Sequence, residues 1–113
     1  MTTDKTGAQT TVSGGEDKYT IAVEGRTVGS AFVADRNNQR VFYHTEIDEQ
    51  FGGRGLATIL VKQALTAARG DGKRIVAVCP MVAGVLEKHP EFGDISDPVT
   101  PEIKQWVQTL PAG

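Results

Sequence analysis

Between an alternating apolar run that ends at Ile47 and a helical run that starts at Leu56 lies Gln50-Phe51-Gly52-Gly53-Arg54-Gly55-Leu56-Ala57, with three glycines in four positions. A strand, a glycine turn and a helix in that order constrain the fold more than any other feature of the chain. The next strand has to return beside the first, roughly parallel to it, and such crossovers are right-handed. The turn constrains chemistry as well. The first N–H groups of a helix lack intrahelical partners and attract anions. Glycines let a ligand reach the backbone with no Cβ in the way. The segment therefore reads as a phosphate site. A Walker A loop needs a lysine after its glycines, and none follows here. A dinucleotide fingerprint needs a third glycine where Thr58 stands, and a parallel strand before the loop rather than the last strand of a meander.

The rest of the chain supplies partners for that unit. Tyr19, Ile21 and Val23 alternate with Thr20, Ala22 and Glu24, which predicts a first strand. Gly25-Arg26 is a Gly-X pair suited to a type II′ hairpin. Thr27–Ala34 reads as a second strand, Asn37-Asn38 as a turn and Arg40–Ile47 as a third strand. After the glycine loop, Leu56, Ile59, Leu60, Ala64, Leu65 and Ala68 form the apolar face of an amphipathic helix, closed by Gly70-Asp71-Gly72. Arg74–Cys79 is nearly continuous in apolar residues, as expected of a strand buried on both faces, and Pro80 ends it. Met81–Lys88 predicts a short helix stopped before Pro90. Pro101 starts a last short helix containing Ile103, Trp106 and Val107. The expected fold class is α+β: an antiparallel meander followed by β-α-β-α in one mixed sheet with helices packed on it. Residues 1–17, rich in Thr, Gly, Ser, Gln and Asp, predict a disordered tail. Residues 18–107 are the expected domain, and 108–113 a C-terminal tail.

A chain of 113 residues is one domain by size. Its net charge of −2 gives no electrostatic footprint for nucleic acid or an anionic membrane. No apolar run approaches a membrane span, and no secretory signal opens the chain. The single cysteine, Cys79, cannot form an internal disulfide and suits a reducing compartment, so a cytoplasmic location is expected. Two histidines and one cysteine without ligand spacing argue against a metal site.

Cys79 is placed at the carboxyl end of the most buried strand, where open sheets hold ligands. A helix N-terminus at Met81 would favour its thiolate, whereas plain packing is the commoner fate of a lone cysteine. His44 and Glu46 alternate on the third strand and share one face, about 6.5–7 Å apart along it. A histidine beside a carboxylate can act as general base, or simply be a polar pair on a wet sheet face. Arg54 can meet a phosphate or be the first polar residue of the exposed helix face. His89, before Pro90, reads as a capping or packing residue. Trp106 reads as the anchor of the C-terminal segment, with the lining of a ligand site as its alternative.

Gln50, Gly53 and Gly55 stand where the acyl-CoA loop of the GNAT acetyltransferase superfamily has Gln or Arg, Gly, and Gly or Ala. The chain resembles the minimal, single-domain branch of that superfamily. The resemblance extends through His44-Thr45-Glu46, Cys79-Pro80 and His89-Pro90-Glu91-Phe92, in order and in register, over residues 19–92. It implies a GNAT-like sheet, acetyl-CoA as co-substrate without a metal, and N-acetyltransferase activity toward an amine that the sequence does not name. It implies that the pyrophosphate lies on Phe51, Gly52, Gly53, Arg54, Gly55, Leu56, Ala57 and Thr58, the amides of Gly53, Gly55, Leu56 and Ala57 foremost. The pantetheine arm would run along Glu46 and Ile47. Cys79, Glu46 and His44 become the catalytic candidates, the thiol near the thioester and Glu46, His44 or a water taking the amine proton. The helical pair that helps hold the acceptor in fuller members has no room here. That keeps a second reading in play, a CoA-responsive binding or regulatory module without turnover. A third is an interaction domain whose glycine loop is only a tight turn.

Overall fold

The computed structural model, which describes residues 2–110, holds one seven-stranded sheet whose strands lie side by side in chain order. β1 (Thr2–Thr3), β2 (Gln9–Gly14), β3 (Lys18–Val23), β4 (Arg26–Arg36) and β5 (Gln39–Ile47) form an antiparallel meander. Helix α1 (Leu56–Gly70) crosses over to β6 (Arg74–Ala77), parallel to β5. Helix α2 (Pro80–Lys88) leads through a 3-10 turn at Pro90–Ile95 to β7 (Ser96–Asp97), parallel to β6. Helix α3 (Pro101–Val107) follows, capped by the Thr100 hydroxyl, which accepts from the Ile103 N–H at 3.2 Å. This is the mixed sheet with packed helices that the periodicity predicts.

The two faces of the sheet have separate cores. On one, α1 buries Leu56, Leu60, Val61, Ala64, Leu65 and Ala68 against Ile21, Ala31, Val33, Phe42 and Ile75. On the other, α3 lays Ile103 over Val41 and Val76, with Trp106 packed beside them. Neighbouring residues of a strand point to opposite faces, so Val41 and Phe42 serve different cores, as do Ile75 and Val76. That explains why both runs are apolar without alternation. Trp106 thus anchors α3, and the Arg36 guanidinium lies 5.5 Å from its ring centre.

Residues 1–17, expected as a disordered tail, contain β1 and β2 instead; Met1 itself lies outside the described residues. β2 pairs with β3 from Thr10 opposite Val23 to Gly14 opposite Tyr19. Ladder hydrogen bonds are made by the backbone and need no apolar side chains, so a polar composition does not forbid a strand that covers an open edge. Thr10 is fully buried and Val12 packs on the α1-side core. The β3–β4 hairpin is also corrected. Its turn residues are Glu24 and Gly25, at φ 48° and 87°, flanked by the pair Val23–Arg26. Two central residues of positive φ make a type I′ turn rather than type II′. In the C-terminal tail, Gln108–Leu110 continue in turns bonded back to the end of α3, and residues 111–113 lie outside the described residues.

β7 is only two residues long and is held by side chains. Gln39 Nε2 and Arg74 Nε donate to the two carboxylate oxygens of Asp97, each at 2.8 Å. These bonds, that of Gln39 first, hold the Asp97 carboxyl below its ordinary pKa against a partial desolvation. A folded pKa below the unfolded value of about 3.9 gives stability that is present above that value and lost as pH falls through the folded pKa. Asp97→Asn should therefore lower the urea midpoint more at pH 7 than near about pH 3, below the unfolded value. Equal losses at both pH values would show that the charge does not hold β7.

Candidate functional site

β5 and β6 run side by side only where Gln39–Phe42 face Arg74–Ala77. The expected strand Arg74–Cys79 stops early, because the N–H groups of Val78 and Cys79 both donate to the Phe42 carbonyl, at 3.0 and 2.9 Å. Cys79 is the N-cap of α2 and Pro80 its first residue. Proline brings no N–H to a ladder and is well suited to a helix start. β5 nevertheless continues through Tyr43–Ile47, paired with β4 on one side and with no strand on the other among the described residues. The two strands part like a V, and an unpaired strand edge presents alternate N–H and C=O groups to the gap. An extended ligand with amide units can use such an edge as another strand would.

A bulge decides what faces each side of the gap. Val33 pairs with Phe42 and Phe32 with His44, which leaves Tyr43 as the extra residue of β5. One inserted residue shifts the alternation. Phe42 points into the α1-side core; beyond the bulge that side belongs to Thr45, whose Oγ1 is 3.4 Å from Cys79 Sγ, and to Ile47. His44 and Glu46 go to the opposite face, where the His44 ring lies 5.8 Å from that of Phe32. They share a face as expected, and their side chains meet, His44 Nε2 and Glu46 Oε1 lying 3.0 Å apart. Both are about half exposed, whereas Cys79 is 5% exposed. The structure thus joins His44 to Glu46 and Cys79 to Thr45, as two pairs on opposite sides of one sheet. A cleft of about 680 Å³ opens beside Glu46, lined also by Thr27, Ser30, Asp48 and Glu49.

The edge of β5 runs straight into the glycine loop. Asp48 Oδ1 accepts from the Gln50 N–H at 3.1 Å and caps a 3-10 turn over Glu49–Phe51. Gly53 and Gly55 both have φ 77°, a conformation that costs a side chain about 1–2 kcal/mol. Gly55 is the N-cap of α1. Among the described residues no side chain caps the helix, and no acidic residue stands in its first turn. The amides of Leu56, Ala57 and Thr58 therefore meet the requirements of an anion site: unpaired donors at the positive end of a fifteen-residue helix. The Arg54 guanidinium lies 4.7 Å from the Phe51 ring centre, and that of Arg26 lies 5.6 Å from it. Arg54 Nη1 also approaches Asp4 Oδ2 at 3.5 Å. No cluster of three or more His, Cys, Asp or Glu that could hold a metal ion occurs among the described residues, nor any helix long and apolar enough to cross a membrane.

The GCN5-related N-acetyl-transferase family matches residues 18–95. The chain belongs to this family. The solution NMR structure of a GCN5-like protein from Staphylococcus aureus is similar to it with a TM-score of 0.61 and 25% identity, over 80% of this chain and 91% of that one. No curated protein matches the chain in sequence. The part shared with the family runs from β3 to the Pro90–Ile95 turn, so it holds the gap, the glycine loop and both side-chain pairs of this GCN5-related domain.

Four further features of the domain escape sequence reading. Thr45 faces Cys79 only because of the bulge. Arg26 reaches Phe51 from a hairpin that is distant in sequence. Asp4 and Lys5 reach the loop from a segment expected to be disordered. Gly29 sits opposite Ile47, and a Cβ there would lie 2.5 Å from Ile47 Cδ1 and 3.0 Å from the Glu46 carbonyl oxygen. Glycine thus lets the free end of β5 lie close against β4. A glycine inside a strand pattern is the one signal that could have marked it. His89 stays outside the gap region, its Nδ1 3.6 Å from Glu91 Oε2.

Proposed function

We propose that this chain binds acetyl-CoA in the gap between β5 and β6 and transfers the acetyl group to an amine. The observation that carries this reading is the parting of the two strands at Phe42, on an edge that leads directly into an uncapped, glycine-lined helix N-terminus. The amides of Gly53, Gly55, Leu56, Ala57 and Thr58, with Arg54, would take the pyrophosphate. The backbone of Glu46 and Ile47 would bond the pantetheine amides. The acetyl end would then come near Thr45 and Cys79, with the amine arriving beside Glu46 and His44. A neutral amine nitrogen attacks the thioester carbonyl and gives up its proton to Glu46, directly, through His44 or through a water. A backbone N–H of the open β5 edge meets the charge on the carbonyl oxygen, and the departing thiolate takes its proton from solvent water, to which Glu46 returns the amine proton.

Direct attack is favoured over an acetylated Cys79 because the thiol is buried while the His44–Glu46 pair is open to an incoming amine. That openness also supports a second reading, a CoA-responsive module without turnover, since both side chains of the pair are about half exposed to water. Titration of acetyl-CoA should shift the backbone amides of Phe51–Thr58, Glu46 and Cys79. Cys79→Ala should keep its affinity within about twofold and its turnover within about tenfold. An acetyl group found on Cys79 by mass spectrometry, with turnover abolished in Cys79→Ala, would overturn direct transfer. Absence of any amide shift at millimolar acetyl-CoA would overturn both CoA readings.

A further inference from the structure

The segment before β2 lies across the glycine loop. The Lys5 N–H donates to the Arg54 carbonyl at 3.0 Å, and the aliphatic stem of Lys5 passes 3.3 Å from where a Cβ on Gly55 would stand. The Asp4 side chain is completely buried. Its Oδ1 accepts from the Thr6 N–H at 2.8 Å, the Thr6 hydroxyl at 2.6 Å and the Ala8 N–H at 3.1 Å. Its Oδ2 is buried without any hydrogen bond among the described residues and faces Arg54 Nη1 at 3.5 Å. Thr3, Asp4, Lys5, Arg54, Gly55 and Thr58 enclose a cleft of about 310 Å³.

A buried carboxylate oxygen without a hydrogen-bond donor is costly unless a counter-charge faces it. Here that charge is the arginine of a loop whose helix lacks an acidic cap of its own. Asp4 therefore stands where an incoming phosphate would draw on the same guanidinium and the same helix end. A second, more highly charged anion beside it adds like-charge repulsion. The segment is also light enough to leave: β1 makes two residue pairs with β2, and residues 4–7 are held mainly by their own turn.

We propose that residues 3–6 are a self-docking strap that competes with a ligand phosphate for the glycine loop, with Asp4 as the internal anion. The proposal rests on the reading that this loop holds the CoA pyrophosphate. Ligand binding then requires the strap to lift, and the fraction of molecules with the strap down weakens the apparent affinity. The opposite role, a strap that completes the phosphate site through Lys5, would make strap and ligand cooperate.

The test titrates CoA, inorganic pyrophosphate and pantetheine into the full chain and into Asp4→Asn, with calorimetry and amide hydrogen exchange. Asparagine keeps an oxygen for Thr6 and Ala8 while removing the charge. CoA and pyrophosphate are expected to bind Asp4→Asn about three- to tenfold more tightly than the unaltered chain. In the unaltered chain both should speed exchange at Lys5, Thr6 and Ala8, whereas pantetheine, which lacks a pyrophosphate, should not. Unchanged or slowed exchange at those three amides under saturating CoA overturns the strap whatever the variant does, and decides the matter should Asp4→Asn fail to fold. Binding at Phe51–Thr58 with the strap amides untouched removes the strap and leaves the CoA site standing. Absence of binding by every ligand to either chain removes both.

Discussion

Glu46→Gln is expected to lower kcat about 10²- to 10⁴-fold while leaving the Kd for acetyl-CoA within about twofold. Glutamine matches glutamate in shape and keeps an oxygen for His44 Nε2, which lies 3.0 Å from Oε1. It cannot accept a proton from an amine. The side chain stands on the face opposite Thr45 and Cys79, so its replacement disturbs neither the glycine loop nor the inner wall of the gap. A rate loss of that size is about 3–5 kcal/mol of barrier, more than any packing change at a half-exposed position would produce. Thiol release from acetyl-CoA over a panel of primary amines, with calorimetric titration alongside, reads both quantities. Full turnover in Glu46→Gln would move the general base elsewhere, whereas absence of turnover in the unaltered chain would strengthen the reading of a binding module.

Phe42→Ala should cost about 3–5 kcal/mol of folding stability, against a total of about 5–15 kcal/mol for a domain of this kind. The ring is fully buried and stacks parallel to that of Tyr19, with centroids 6.1 Å apart and planes within 2°. It touches the core that α1 closes, and its carbonyl accepts from both Val78 and Cys79. The apex of the V is thus pinned by one residue through its side chain and its backbone together. Denaturant unfolding would show a lower midpoint at unchanged slope, and CoA affinity should fall with it because the two walls of the gap lose their common anchor. Phe42→Leu, which refills much of the space, should recover most of the loss. A cost below about 1 kcal/mol for the alanine variant would mean that the apex is not packed as described.

Local rules made much of this architecture legible. The helical spacing of Leu56, Leu60, Ala64 and Ala68 needs only neighbours three and four residues away, so α1 and its buried face follow directly. Pro101 stands at the start of α3, as proline does where its missing N–H is no loss, and Pro80, expected only to end the strand, also opens α2. The run Arg74–Cys79 reads as a doubly covered strand, and over Arg74–Ala77 it is one, because Ile75 and Val76 each enter a separate core. The glycine loop was equally plain, since positive φ at Gly53 and Gly55 is a backbone demand that residue type alone expresses.

What remained hidden depends on partners far along the chain. β2 exists because β3 offers it an edge, and ladder hydrogen bonds leave no trace in a run as polar as Gln9–Gly14. The bulge at Tyr43 is a mismatch of register between two strands, which neither strand encodes alone, yet it sends Thr45 toward Cys79 and His44 with Glu46 to the other face. Asp4 meets Arg54 across fifty residues of sequence only after the sheet and α1 have brought them together. The sequence by itself determined the central strands, the helices and the glycine turn, because these follow from short-range sterics and periodicity. Only the tertiary structure decided where β5 and β6 part and which side chains face the gap, because register and approach are properties of pairs.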